Sequence, residues 1–256
     1  MNVLITGADS VLGQVVAKAL ASGNRLRLWG EGESPDDLDE NAEWFTGDMR
    51  DPDVSWDAVR GMQAIVHTGE APSNLPDDDL ACEQELLDVR TRGTHVLFLA
   101  GVDAGVKRFV YGSTLEIFEA YPDDVYISEM WRPLPSTDKF QLTRYLGEMT
   151  AREFARDFPV AVTALRLGKL VNESEIDGQE PDLMWLDYRD AAEAFRIALN
   201  RDARSELKWN RRFAVHHICA KIPNAKYLVG KTQPGFELHG FEPQHNFESV
   251  WQGGGA

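Results

Sequence analysis

Apolar residues recur along this chain in two alternating rhythms. Short runs rich in Val, Ile, Leu and aromatic residues stand at 2–6, 25–29, 43–46, 64–67, 108–111 and 161–167. Runs of this length, bounded by turn residues, read as buried strands. Between them, apolar positions fall at helical spacing over 13–22, 54–61, 80–104 and 139–158. Gly23-Asn24 closes the first of these segments, and the third carries Leu86, Leu87, Val96, Leu97 and Leu99. The acidic stretch 31–43, with Pro35, reads as a loop or short helix. Further on, 190–199 is amphipathic and helical, and 212–218 reads as a strand. The stretch 230–256 is rich in Gly, Pro and polar residues, and its Gly-Gly-Gly-Ala end is expected to fray.

Strands that alternate with helices imply βαβ units and a parallel sheet. Right-handed crossovers then put helices on both faces. The expected fold class is α/β, a Rossmann-type doubly wound parallel sheet with a small C-terminal substrate-domain remnant. The expected division is a dinucleotide-binding domain over 1–168 and a small substrate-domain-like region over 169–256, packed on the same core.

At 256 residues the chain suits one large domain, or one with a small appendage. Its net charge of −16 repels phosphate backbones and anionic lipids, so neither nucleic acid nor a membrane surface is an expected partner. An anionic ligand must be held by a local positive site, such as a helix N-terminus. Cys82 and Cys219 form no Cys-x-x-Cys pair and no disulfide framework. No apolar run approaches the ~20 residues of a membrane span. The chain opens directly on a strand, without a basic region or cleavage site, so a cytoplasmic location is expected.

Thr6-Gly7-Ala8-Asp9-Ser10-Val11-Leu12-Gly13 joins the first strand to the first helix. In that context a glycine pattern is a phosphate-loop signal. Gly7 allows the tight turn and Gly13 close packing of helix on strand. The helix start at Ser10, Val11 and Leu12 offers N–H groups and partial positive charge to a pyrophosphate. Asp9 opposes an anion there. The loop either binds the pyrophosphate or makes the βα turn and binds nothing. An acid at the end of the second strand, about 20 residues after the glycines, would bond an adenosine ribose. Gly30 holds that position and Glu31 follows one residue late, with no arginine next to it. Cofactor binding is therefore possible but not assured, and NAD and NADP both stay open.

Six stretches together resemble the extended short-chain dehydrogenase/reductases, the NAD-dependent epimerase/dehydratase family, from residue 2 to about residue 200. They are the phosphate loop, with Ser10 where the family carries its middle glycine; Ala64-Ile65-Val66-His67-Thr68-Gly69-Glu70; Arg90-Thr91-Arg92-Gly93-Thr94, with Arg90 in place of asparagine; the strand ending Tyr111-Gly112-Ser113-Thr114; Ala164-Leu165-Arg166-Leu167-Gly168; and Trp185-Leu186-Asp187-Tyr188-Arg189-Asp190. Asp48, beside Met49, resembles the acid that faces adenine in relatives; its other reading is a helix cap. The resemblance implies cofactor contacts at Gly7, Ser10, Val11, Leu12, Gly13, Glu31, Asp48, Met49, His67 and Arg144.

The helix opening Lys139-Phe140-Gln141-Leu142-Thr143-Arg144 stands where the family carries Tyr-x-x-x-Lys. Phe140 takes the tyrosine position and Arg144 the lysine position. In relatives the tyrosine passes a proton, a step that contributes ~10²–10⁴-fold; phenylalanine has no proton to pass. Arg144 keeps the charge with a different geometry. Ser113 or Thr114 would orient a substrate oxygen. Tyr121 and Tyr126 are the substitute proton donors to consider. Tyr227-x-x-x-Lys231 lies out of context and reads as coincidence. Only sixteen residues separate Gly168 from Trp185, little material to enclose a nucleotide-sugar.

His216-His217-x-Cys219 places two ligand types on one strand face, too few for a metal, and reads as exposed strand. The leading expectation is a degenerate NAD(P)-binding protein without oxidoreductase or epimerase chemistry, acting as a nucleotide-binding or interaction subunit. The alternative is an active NAD(P)-dependent epimerase, dehydratase or reductase on a nucleotide-sugar or similar compound. Family resemblance implies a homodimer through 80–104 and 139–158; a hetero-complex is equally open.

Overall fold

The computed structural model describes residues 1–36, 38–176, 178–201, 212–223, 225–229, 238 and 240–251. Lys231 and the Gly-Gly-Gly-Ala end lie outside them.

Seven strands form one parallel sheet: β1 (Asn2–Thr6), β2 (Arg25–Trp29), β3 (Ala42–Phe45), β4 (Ala64–His67), β5 (Arg108–Thr114), β6 (Ala161–Leu167) and β9 (Phe213–Ile218). Their order is β3-β2-β1-β4-β5-β6-β9, with chain direction reversing its sideways progress between β1 and β4. In open α/β sheets ligands bind at such a reversal, outside the carboxyl ends of the strands. A separate two-stranded parallel ribbon joins β7 (Lys169–Val171) to β8 (Trp185–Asp187).

Helices cover both faces, and strand alternation assigns residues to each. Val3, Ile5, Val66 and Val110 join a core under α1 (Val11–Ala21) and α6 (Tyr188–Leu199), whose Val16, Leu20, Phe195 and Leu199 are buried in it. Leu4, Ile65, Phe109 and Val162 face the other way. They meet Ala58 and Val59 of α2 (Pro52–Val59), Leu97 and Phe98 of α4 (Thr94–Asp103), and Phe154 of α5 (Lys139–Asp157). Each of these Val, Leu, Ile and Phe side chains, fully buried, contributes about 1.5–3 kcal/mol.

Predicted elements differ from the observed ones in informative places. The single helix expected over 80–104 is three pieces: α3 (Asp79–Leu87), a π-helical turn at Asp88–Gly93, and α4. Turns of this kind are frequent at functional sites. β5 runs on to Thr114 because Gly112, Ser113 and Thr114 pair with Leu165, Arg166 and Leu167 of β6. Residues beyond 168 supply β9 and α6, so they help build the central sandwich.

The exposed-strand reading of His216 and His217 is overturned: both are buried, at 2% and 0% exposure. β9 is the edge of the sheet, but the loop after β5 covers it, and His217 lies between Phe118 and Tyr227. Burial, then the charge of Arg201, pushes His216 down to about 3; burial holds His217 well below its ordinary value. Cys82 and Cys219 are free and buried. Among the described residues no group of three or more side chains could hold a metal, and no helix is long and apolar enough to cross a membrane.

Candidate functional site

The loop between β1 and α1 folds as its glycines require. Gly7 has φ +66°, a left-handed conformation that glycine adopts at little cost. A methyl group on Gly13 would lie 2.0 Å from the Gly7 carbonyl oxygen, so the helix sits directly against the loop. Ser10 is the N-cap of α1. Its hydroxyl accepts from the Gly13 N–H at 2.9 Å and donates to the Gly7 carbonyl at 2.7 Å. The serine in the middle-glycine position therefore spends its hydroxyl inside the loop. Leu12 is buried in the core while Val11 is exposed, and the first-turn N–H groups of both have no partner within the helix.

Beside this loop lies a cavity of about 400 Å³ at the carboxyl ends of β1–β4. Of the expected cofactor contacts, Gly7, Glu31, Asp48, Met49 and His67 line it, whereas Ser10, Val11, Leu12, Gly13 and Arg144 do not. The Glu31 carboxylate accepts hydrogen bonds from Ser73 at 2.9 Å and Asn74 at 3.2 Å, which tie the β2 end to the loop after β4. Asp48 accepts from the Arg50 backbone N–H and from its Nε, both at 2.9 Å. Arg50 also reaches Glu85 at 2.8 Å. This hydrogen bond to Arg50 outweighs the opposing effect of burial and lowers the Asp48 carboxyl below its usual range. Arg50 and Trp29 belong to the cavity wall and were not singled out by sequence reasoning. The signal for Arg50 was present: it follows Asp48 by two residues in the same turn.

His67 closes the cavity floor. Thr94 Oγ1 donates to the Arg90 carbonyl at 2.8 Å, so it accepts from His67 Nε2 at 2.9 Å. Nδ1 in turn accepts from the Thr6 hydroxyl at 2.6 Å, the tautomer this network requires. Burial, then the charges of Arg90 and Arg144, pushes His67 down to about 3 and keeps it neutral.

Arg90 projects from the π-helical turn into the protein. Its Nη1 donates to the Phe140 carbonyl at 3.1 Å and to Thr143 Oγ1 at 3.3 Å. Its guanidinium carbon lies 5.9 Å from the centre of the Phe140 ring. Burial, then the neighbouring charge of Arg144, lowers Arg90 to about 10.

On α5, Asp138 caps the helix by accepting from the N–H groups of Phe140 and Gln141. The Phe140 ring is 42% exposed, flanked by Arg90 and Lys139. Arg144 Nε donates to the Gly69 carbonyl at 3.2 Å, and its Nη2 pairs with the Glu70 carboxylate. The hydroxyls of Ser113 and Thr114 are already engaged. Ser113 donates to Glu148, which is held bidentately by Arg166 at 2.7 and 3.0 Å, and all three side chains are buried. Thr114 caps a short 3₁₀ turn, accepting from the Glu116 N–H at 3.2 Å and donating to its carboxylate at 3.1 Å. Of the two substitute tyrosines, Tyr121 donates to the Arg132 carbonyl and Tyr126 is 61% exposed.

The profile of the NAD dependent epimerase/dehydratase family matches residues 3–184. This chain belongs to that family. It is similar to NAD-dependent glucose-6-phosphate dehydrogenase of Haloferax volcanii, 25% identical over 80% of this chain and 82% of that protein. It is also similar to uronate dehydrogenase of Pseudomonas syringae, 24% identical over 77% of this chain and 69% of that one. Its fold matches glucuronic acid dehydrogenase from Chromohalobacter salexigens with a TM-score of 0.79 at 19% identity, covering 100% of this chain and 90% of that chain. A uronate dehydrogenase variant from Agrobacterium tumefaciens, solved with NAD, matches with a TM-score of 0.78 at 20% identity, covering 98% and 88%.

Within this epimerase/dehydratase fold, the Gly7 turn and the β1–β4 reversal border the cavity at the carboxyl ends of the strands. Position 140 carries a hydrocarbon ring, and one helical turn on the Arg144 guanidinium is paired with the Glu70 carboxylate.

Proposed function

We propose that this chain is a nucleotide-binding member of its family that lacks the tyrosine-based oxidoreductase or epimerase step and serves as a binding or interaction subunit. The observation that carries the reading is the state of two positions on α5: a ring without a hydroxyl at Phe140 and, one helical turn on, an Arg144 tied to Glu70 and Gly69. NAD or NADP is the cofactor class, supported by the family and by relatives named for NAD. Gly7, the first-turn amides of Val11 and Leu12, Glu31, Asp48, Met49 and His67 are the residues that would hold its adenosine and phosphates.

The test pairs binding with turnover. A bound ligand raises stability by RT ln(1 + [L]/Kd), so the melting temperature should rise with millimolar NAD or NADP. The same protein should form no NADH from uronates or hexose phosphates. Turnover at about 1 s⁻¹ or faster, the range of working enzymes, overturns the reading.

A second reading, an active dehydrogenase on a sugar acid or sugar phosphate, has one structural observation in its favour. Tyr188, at the start of α6, has its hydroxyl held above its ordinary range by burial first and then by the charges of Glu70 and Glu175. Tyr188 thereby feels Glu70, the carboxylate that pairs with Arg144. Loss of any measured turnover in Tyr188→Phe would favour this reading.

Subunit contact through α3–α4 and α5 belongs to the same proposal, as a homodimer or a hetero-complex. The exposed Leu80, Leu99 and Phe140 support it. Sedimentation of the purified chain as a monomer, alone and in cell extract, would remove it.

A further inference from the structure

The cavity stops short of the catalytic positions. Its wall runs from the phosphate loop past the ends of β2, β3 and β4 and finishes at Glu70–Pro72 and Asn74; Ser113, Thr114, Phe140 and Arg144 are absent from it. A dinucleotide lies across the reversal point of such a sheet, one half on each side. The half on the β1–β2–β3 side has room here. The half that would cross toward β5 and α5 meets Glu70.

Three contacts fix that obstruction. The stem of Glu70 stands over the phosphate loop, where a methyl group on Gly7 would come within 3.4 Å of Glu70 Cβ. Its carboxylate reaches across the cleft to Arg144 of α5, with the two side chains only 24% and 14% exposed. Gly69, with φ +71°, is wedged against β5: a methyl there would lie 2.1 Å from the Gly112 carbonyl oxygen. The loop is held from behind by β5 and from the front by the Arg144 fork. The pair forms a bar between the phosphate loop and the catalytic helix, and it also neutralises the cation nearest to that half of the cleft.

We infer that the cleft is a site for an adenosine-diphosphate ligand, ADP, and that the Glu70–Arg144 bar excludes the ribose and nicotinamide of a full dinucleotide. The inference rests on the nucleotide-binding reading above and narrows its ligand. The diphosphate lies at the first-turn amides of Val11 and Leu12, and the adenosine occupies the pocket of Trp29, Gly30 and Asp48. A nicotinamide ribose enters only when Arg144 releases Glu70.

Calorimetric titration of the whole chain with ADP and with NAD tests this. The native protein should bind ADP at least about ten-fold more tightly than NAD, a difference of about 1.4 kcal/mol. Glu70→Gln keeps the shape and removes the charge; Glu70→Ala removes the bar. Both variants, checked for native melting, should close the gap to under about three-fold through tighter NAD binding. NAD binding to the native protein as tightly as ADP overturns the inference and leaves the nucleotide-binding reading standing. A gap that persists in both folded variants also overturns it. If neither ligand binds the native chain, the nucleotide-binding reading fails and this inference with it.

Discussion

The indole of Trp44 lies so close to Gly30 that a methyl group on Gly30 would sit 2.4 Å from its Cη2 and 2.6 Å from its Cζ2. The position where an acid would meet an adenosine ribose is therefore filled from the neighbouring strand β3, and Trp44 is anchored by donating to the Gly32 carbonyl at 3.2 Å. A missing carboxylate and a bulky aromatic are two sides of one packing solution. Gly30→Asp should lower stability by about 1–3 kcal/mol, the usual cost of overpacking. Combining it with Trp44→Ala should recover part of the loss attributable to the clash. Urea unfolding measures both; a Gly30→Asp protein as stable as the parent would contradict this packing account.

Restoring the family's residues should not restore turnover. In Phe140→Tyr combined with Arg144→Lys, Glu70 still stands across the cleft and would pair with the new lysine as it does with Arg144. NADH formation from uronates or hexose phosphates should stay at background. Adding Glu70→Ala is the step expected to matter. A double variant that turns over by itself would show that the missing hydroxyl was the whole deficit.

The buried trio Ser113, Glu148 and Arg166 should behave as structure. Arg166→Leu leaves the fully buried Glu148 carboxylate without its cation, which costs about 3–5 kcal/mol. Ser113→Ala removes a hydrogen bond to a charged group, about 1.5–3 kcal/mol. Losses below about 1 kcal/mol in chemical denaturation would mean that water reaches this pair.

Acid should destabilise the fold before most carboxylates titrate. His67, His216 and His217 are held neutral by burial in the folded chain, the first two down to about 3. In the unfolded chain they take up protons as pH falls through about 6.5. The unfolded state then binds more protons, so stability falls with falling pH between about 6.5 and 3, by up to about 1.4 kcal/mol per pH unit for each histidine. Unfolding free energy measured at about pH 7 and about pH 5 should differ by at least about 2 kcal/mol. Equal values would mean that these rings are solvated or charged in the native state.

Sequence reasoning reached the elements that local patterns encode. Six of the seven sheet strands followed from short apolar runs, and 212–218 was legible as a strand, though its place beside β6 was not. Alternation along β1 explains why: Val3 and Ile5 serve one core and Leu4 the other, a period any buried strand must show. The break in the helix over 80–104 was not legible, because the polar stretch 88–95 contains no proline and reads equally as solvent-facing helix. There the buried Arg90 finds its partners on α5, fifty residues away in sequence. Arg144 was read as a cofactor contact. Its partner Glu70 had no role assigned, since a pair separated by 74 positions leaves no periodic trace.

By itself, then, the sequence determined the order of strands and helices, the glycine turn of the phosphate loop, and the loss of a phenolic proton donor at position 140, because these depend on local backbone preference and on which atoms a side chain contains. Only the tertiary structure decided that Trp44 fills the space beside Gly30 and that Glu70 holds Arg144 across the cleft. Those outcomes depend on which groups come within a few ångströms of each other when distant strands pair, and spacing along the chain carries no record of it.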